Sequence, residues 1–285
     1  MKLILPKART MAGISGTPTP RPSRLRAAVL LLPVLFVASA GCDIAMADFR
    51  EQETAEWRKT YELQPGGRVE IANINGKIDV MPGNGNSVEV IARKVGQGPT
   101  KEGAKAAIDR IQIAESVTDG NLKIETKVDR SGGGLFNHSS GKVEYTVRVP
   151  VNAELKLSTV NGGVEIAGMA GRINAETTNG GIKARDITGM IEASTTNGGV
   201  ELDLSSVPTG GVKLECTNGG IRLRLPSDAK ASISARISNG GIDAQGVHLQ
   251  TRGESSNRRL EGDLNGGGPR ISLEGTNGGI RISAR

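Results

Sequence analysis

The sequence predicts an all-β fold: a β-solenoid of stacked coils, preceded by an irregular β-rich part. Three observations predict it. The tripeptide Asn-Gly-Gly recurs through the C-terminal half, apolar and polar residues alternate around it, and the charges beside it change sign from one repeat to the next.

The repeat begins at Asn161, Asn179, Asn197, Asn218, Asn239 and Asn277, with Asn265-Gly266-Gly267 as an irregular member. From 161 to 239 the intervals are 18, 18, 21 and 21 residues, a spacing that marks a repeat architecture. Alternation puts Ile173, Ala175 and Thr177 on one face, then Ile182 and Ala184, then Ile191, Ala193 and Thr195. These inward residues are small or β-branched and suit a narrow core between two close layers. Asn and Gly tolerate positive φ, so the chain is expected to reverse or corner at each tripeptide without Cβ strain. Two architectures satisfy that: an antiparallel meander of hairpins, or a solenoid whose like positions stack in parallel. The outward charges favour the solenoid. Four residues after each Asn stand Glu165, Lys183, Glu201, Arg222 and Asp243, and two further on stand Arg185, Asp203, Arg224 and Gln245. Parallel stacking would set these in columns about 4.8 Å apart, where opposite neighbours attract and like ones repel.

Upstream, residues 61–160 read as an N-terminal β region. Short alternating runs at Arg68–Ala72, Lys77–Val80, Ser87–Arg93, Asn121–Lys127 and Lys142–Val149 are expected strands, and Thr100–Arg110 is the one expected helix. The glycine-rich stretch Ser131–Ser140 is expected to be a mobile loop. Residues 42–60 are polar and charged and read as a membrane-proximal tether with a short helix.

Residues 1–41 read as a signal peptide. They carry Lys2, Lys7, Arg9, Arg21, Arg24 and Arg26 without an acid, and then an apolar run, Ala27–Ala40, too short to span a bilayer comfortably. The chain's net charge of +6 resides wholly in this segment, which leaves a formally neutral body. A neutral body with few aromatic residues lacks both the field and the stacking platforms of a nucleic-acid binder. Ala40-Gly41-Cys42 resembles the lipobox of bacterial lipoproteins, which makes Cys42 the expected lipid attachment site. Ser39 stands where that motif prefers Leu, and ordinary cleavage after Ala40 is the competing reading.

Other chemistry is sparse. His138 and His248 are the two histidines, no His or Cys spacing suggests a metal site, and no cofactor motif is present. The strings Gly132-Gly133-Gly134 and Gly266-Gly267-Gly268-Pro269 lack the Lys-Ser/Thr of a phosphate loop and read as turns. Cys216 takes the inward place of Thr177 and Thr195, so packing is its expected role. The last run, Ile280–Arg285, is expected to leave an open strand edge, protected by arginines, self-association or a partner.

The run Val69–Val80, the segment Val147–Pro150 leading through Leu155–Thr159, and the Thr-Thr-Asn-Gly-Gly-Ile repeats together resemble the bacterial cell-envelope family of putative adhesins, over residues 60–285. The resemblance implies a right-handed single-stranded β-helix, a place in the envelope facing the periplasm or cell surface, and no catalytic residues. The function expected is a lipid-anchored, non-enzymatic binding or scaffold module whose partners are the membrane and a glycan or envelope protein. The alternatives are a carbohydrate-active enzyme on a β-helix and an envelope-stress regulatory partner.

Overall fold

The structure is a computed structural model in which residues 51–129, 139–252 and 255–285 are described. The signal segment, Cys42, the start of the tether, and most of the glycine-rich loop with His138 lie outside the described residues.

Each coil has one strand before an Asn-Gly corner and one after it. The strands before the corner are β2 (Arg68–Asn75), β8 (Glu154–Asn161), β10 (Ile173–Asn179), β12 (Ile191–Asn197) and β14 (Val212–Asn218). Those after it are β3 (Ile78–Pro82), β9 (Val164–Ala167), β11 (Ile182–Ile187), β13 (Val200–Leu204) and β15 (Ile221–Leu225). In two further coils a single strand passes through the corner, β16 (Ala231–Gln245) and β19 (Arg270–Ala284). All stack in parallel with Asn over Asn, which makes a solenoid with two broad faces. The residues expected to point inward do so: Ile173, Ala175, Ile182, Ala184, Ile191 and Ala193 are all buried between the faces.

The solenoid begins earlier than residue 161. β2 pairs directly with β8 and β3 with β9, so residues 68–82 form the first coil and Asn75 lies over Asn161. The chain between them is an excursion that builds the N-terminal end. It contains β4 (Ser87–Gly98), α1 (Lys101–Asp109), β5 (Ile111–Thr118), β6 (Asn121–Val128) and β7 (Ser140–Val149). β6 extends one face beside β2 and β7 extends the other beside β3; antiparallel β5 and β4 then cover them. The expected helix is α1, capped by Thr100, whose hydroxyl accepts from the Gly103 amide at 3.1 Å.

Part of the expected tether is a strand. β1 (Glu51–Glu62) pairs antiparallel with β4 along its whole length. Its half-buried residues are Glu53, Trp57 and Tyr61, four apart, a spacing that reads as helical in sequence. Pairing with the open edge of β4 overrides it, and Trp57 and Tyr61 pack against the core.

The C-terminal order is the larger correction. β19 lies between the β14/β15 coil and β16, so the last coil in sequence is not the last in space. β16 is the outer coil. It is covered in its first half by antiparallel β18 (Arg259–Leu264), on which β17 (Leu249–Thr251) pairs in turn. The amides of Ile237 and Ile242 donate to the carbonyls of Arg258 and Asn257, each at 2.9 Å, so the same segment crosses the corner. Ile280–Arg285 is therefore interior to the stack rather than an open edge. Asn265 (φ +48°), Gly266 and Gly267 form a left-handed turn between β18 and β19, and the irregular Asn-Gly-Gly is no coil corner.

Of the reversal or corner expected at each tripeptide, the structure shows the corner. None of the six corner asparagines from 161 to 277 has positive φ. The backbone ladder continues round the bend: the amides of Gly162, Gly180 and Gly198 donate to the carbonyls of Asn179, Asn197 and Asn218 at 2.8–2.9 Å. That continuity brings successive corners very close. A Cβ on Gly180 would lie 2.0 Å from the Gly162 carbonyl oxygen, and one on Gly198 2.0 Å from that of Gly180. The second glycine has more room, since a Cβ on Gly199 would be 3.3 Å from the Gly220 oxygen. The first coil agrees, because Asn75-Gly76-Lys77 keeps the first glycine and replaces the second.

Gly198→Ala should therefore cost about 3 kcal/mol or more, at the upper end of overpacking. Gly199→Ala should stay within about 1 kcal/mol. Urea unfolding midpoints compare the two, and equal losses would refute the asymmetry.

Candidate binding surfaces

The corner edge carries a single asparagine ladder. Each Nδ2 donates to the Oδ1 of the neighbouring corner, in the spatial order Asn75, Asn161, Asn179, Asn197, Asn218, Asn277, Asn239, at 2.8–2.9 Å throughout. The asparagines singled out in sequence are thus brought together, joined by Asn75. Behind them an inward column caps the backbone. The Thr177 and Thr195 hydroxyls donate at 2.8 Å to the Gly162 and Gly180 carbonyls, and the Cys216 thiol reaches the Gly198 carbonyl at 3.1 Å. Burial pushes the Cys216 pKa up, which holds the sulfur as a thiol in a packing role. His248 lies exposed between β16 and β17. Among the described residues no group of three or more His, Cys, Asp or Glu could hold a metal ion.

On the face formed by the strands after the corner, long side chains stand in two columns. The outer column runs Asp79, Glu165, Lys183, Glu201, Arg222, Arg281, Asp243. The second runs Arg185, Asp203, Arg224, Ser283, Gln245 where it is polar. The expected alternation holds from Glu165 to Arg222. It then breaks, because the intercalated coil sets Arg281 directly against Arg222. Between the columns, over a floor of Ala184, Leu202 and Leu223, runs an open cleft of about 270 Å³. A second cleft of about 190 Å³, lined by Asp79, Glu165, Lys183 and Arg185, continues it toward the first coil.

The acids of this cleft are engaged. Arg222 pairs with Glu201, and Arg285 bridges Asp203 at 2.6 Å and Asp186 at 3.0 Å. Lys183, Arg185 and Arg224 are exposed and have no ion-pair partner among the described residues. Sequence reading in chain order could not see this excess. Its missed signal was the long gap between Asn239 and Asn277, about twice the earlier intervals, which lets one coil be set aside while a later one takes its place.

The model of the Toastrack DUF4097 family matches residues 101–283, most of the chain. The chain belongs to that family. The Toastrack match spans every coil except the first and agrees with the β-solenoid described above. No curated protein matches the chain. Among solved structures, this Toastrack chain is similar to a putative cell adhesion protein from Clostridium sporogenes, at 15% identity and a TM-score of 0.45, covering 82% of this chain and 100% of that one. It is similar also to a putative adhesin from Bacteroides fragilis, at 13% identity and a TM-score of 0.36, covering 81% of this chain and 97% of that one.

The Arg285 clamp fastens the intercalated strand across three coils. The guanidinium hydrogen-bonds the Asp186 carboxylate and holds its pKa below the ordinary aspartate value. A lowered carboxylate contributes stability above its unfolded pKa, and that contribution is lost as pH falls through the folded value. In Arg285→Gln the Asp186 titration should move up toward the ordinary range, and amide exchange should quicken in Ile280–Ala284. Carboxyl NMR titration and hydrogen exchange measure both; unchanged exchange would mean the clamp holds nothing.

Proposed function

We propose that this chain is an exported, lipid-anchored protein of the bacterial envelope that binds without catalysis, presenting its solenoid faces as a rigid surface. One observation carries the reading. The outward side chains stand in rows over seven coils locked in register by the asparagine ladder, with an open cleft along the stack. Such a surface recognises something extended, because like positions recur along the stacking axis at about 4.8 Å.

An enzymatic reading would use the acids of the two clefts: Glu201 and Asp203, or Asp79 and Glu165, which lie opposite each other in adjacent strands. A glycoside-cleaving acid is held in apolar surroundings or beside a second carboxylate that raises its pKa. Glu201 and Asp203 are held by Arg222 and Arg285 instead, and Asp79 is paired with Lys77. Every carboxyl with a clear shift among the described residues moves down, Glu115, Glu144, Asp186, Glu261 and Asp263, each engaged by a cation. This setting supports binding over acid catalysis.

Export and anchoring rest on the basic segment, the apolar run Ala27–Ala40 and Cys42. Cys42 precedes β1, the first described strand, in the chain. Cys42→Ala should abolish metabolic labelling with an acyl probe and move the protein from the membrane to the soluble fraction. A wild-type protein that is itself soluble and unlabelled would refute the anchor.

A further inference from the structure

The cleft has a charge order that selects a ligand. Its successive rungs are Lys183 with Arg185, Glu201 with Asp203, Arg222 with Arg224, and then Arg281 with Ser283. Within a rung the two side chains are two residues apart on one strand, roughly 6.6 Å. The basic rungs of Lys183 and Arg222 are two coils apart, about 9.6 Å.

Two features set this basic cluster apart from the other ion pairs of the fold. Arg222 and Arg281 are directly opposite in adjacent parallel strands, where like charges are destabilising. Arg185, Arg224 and Lys183 stand exposed with no carboxylate within ion-pair distance; Arg224 lies opposite Asp203 and Lys183 between Glu165 and Glu201, but Glu201 and Asp203 are taken by other arginines. Lys183, Arg185 and Arg224 are therefore free to meet an outside anion, with Arg222 and Arg281, paired to Glu201 and Asp243, beside them.

The shape of the charge pattern distinguishes among polyanions. A lipid bilayer offers a continuous sheet of negative headgroups, and the carboxylates at mid-cleft and at Asp79 and Glu165 would be repelled by it. A nucleic-acid strand needs stacking platforms, and no aromatic residue lines the cleft. A linear polymer with anions about every second rung and hydroxyls between them meets the rungs of Lys183, Glu201 and Arg222 with their complements, and Arg281 adds a cation beside the last. That is the layout of an extended polysaccharide with acidic sugars, whose hydroxyls donate well to carboxylates.

We propose that this face binds an acidic polysaccharide along the solenoid axis, its carboxylates on Lys183/Arg185 and Arg222/Arg224/Arg281 and its hydroxyls on Glu201 and Asp203. The proposal rests on the binding-module reading and names the ligand class for it. The carboxylates are bound by charge-assisted hydrogen bonds, most effectively by the planar guanidinium groups. The contacts are exposed and weak one by one, so affinity comes from repetition along the chain and falls as salt is raised.

The test uses the full-length protein, with polygalacturonate as the probe and its fully methyl-esterified form as the neutral control. Arg185 and Arg224 have no ion-pair partner, so Arg185→Gln/Arg224→Gln should leave the thermal midpoint unchanged. It should weaken polygalacturonate binding about tenfold. Lys123→Gln/Arg270→Gln removes the same charge from the opposite face and should bind like the wild type. The esterified polymer should not bind. Equal weakening by both double variants would overturn the assignment to this face, as would undiminished binding by the first. Binding to phosphatidylglycerol vesicles but not to polygalacturonate would overturn the polysaccharide and leave a binding module standing. Release of new reducing ends from bound polygalacturonate would instead overturn the non-catalytic reading itself, while the cleft kept its ligand.

Discussion

The structure depends on how closely successive corners approach. The ladder of backbone hydrogen bonds passes through each Asn-Gly corner without interruption, which packs the corners so closely that a Cβ on Gly180 would lie 2.0 Å from the Gly162 carbonyl oxygen. No side chain fits there, and φ at several of these glycines, +153° at Gly198 and +151° at Gly219, is one that glycine alone takes easily. The first glycine is therefore a spacing element between coils. The second is incidental to that contact, and Lys77 stands in its place in the first coil.

Other regularities follow from that approach. With the corners stacked, asparagine amides meet head to tail and form the ladder, each bond modest and partly open to water. The turn leaves a glycine carbonyl facing the core, and an inward Thr, or Cys216 in its place, supplies the donor that burial requires. The column ends at Gly275, which has no side chain, and at Ile237, which fills the space. The narrow interior then takes Ile, Val, Leu and Ala, with hardly an aromatic residue. Tyr145 is the exception, buried in β7, where its hydroxyl meets Thr126 at 2.7 Å.

Charge follows the order of coils in space and not in the chain. The two columns of the cleft face balance in charge overall, and the basic cluster within them arises where coils of similar charge become neighbours. Had β16 followed β15 in the stack, Asp243 would oppose Arg222 and the alternation of the outer column would continue. Intercalation of β19 sets Arg281 there instead and moves Asp243 outward, where it pairs with Arg281 at 3.5 Å. The capping hairpin of β17 and β18 makes this order workable, because it covers the first half of the outer coil and so shortens the edge left unpaired.

The sequence by itself determined the solenoid class, its inward residues, the helix at Thr100–Arg110 and the asparagines that line up. These follow from local rules: period-two burial, capping, and a repeat whose identical units can only be satisfied by stacking. It did not reveal where the stack begins, since residues 68–82 and 154–167 are neighbours in space across a long excursion. Nor did it reveal that β1 is a strand, because its half-buried residues fall four apart and only the open edge of β4 decides. The cleft was least legible of all. Its residues were each visible as outward charges, but which charge neighbours which depends on the intercalated coil, and strand order is a long-range choice made by burying edges and filling the core.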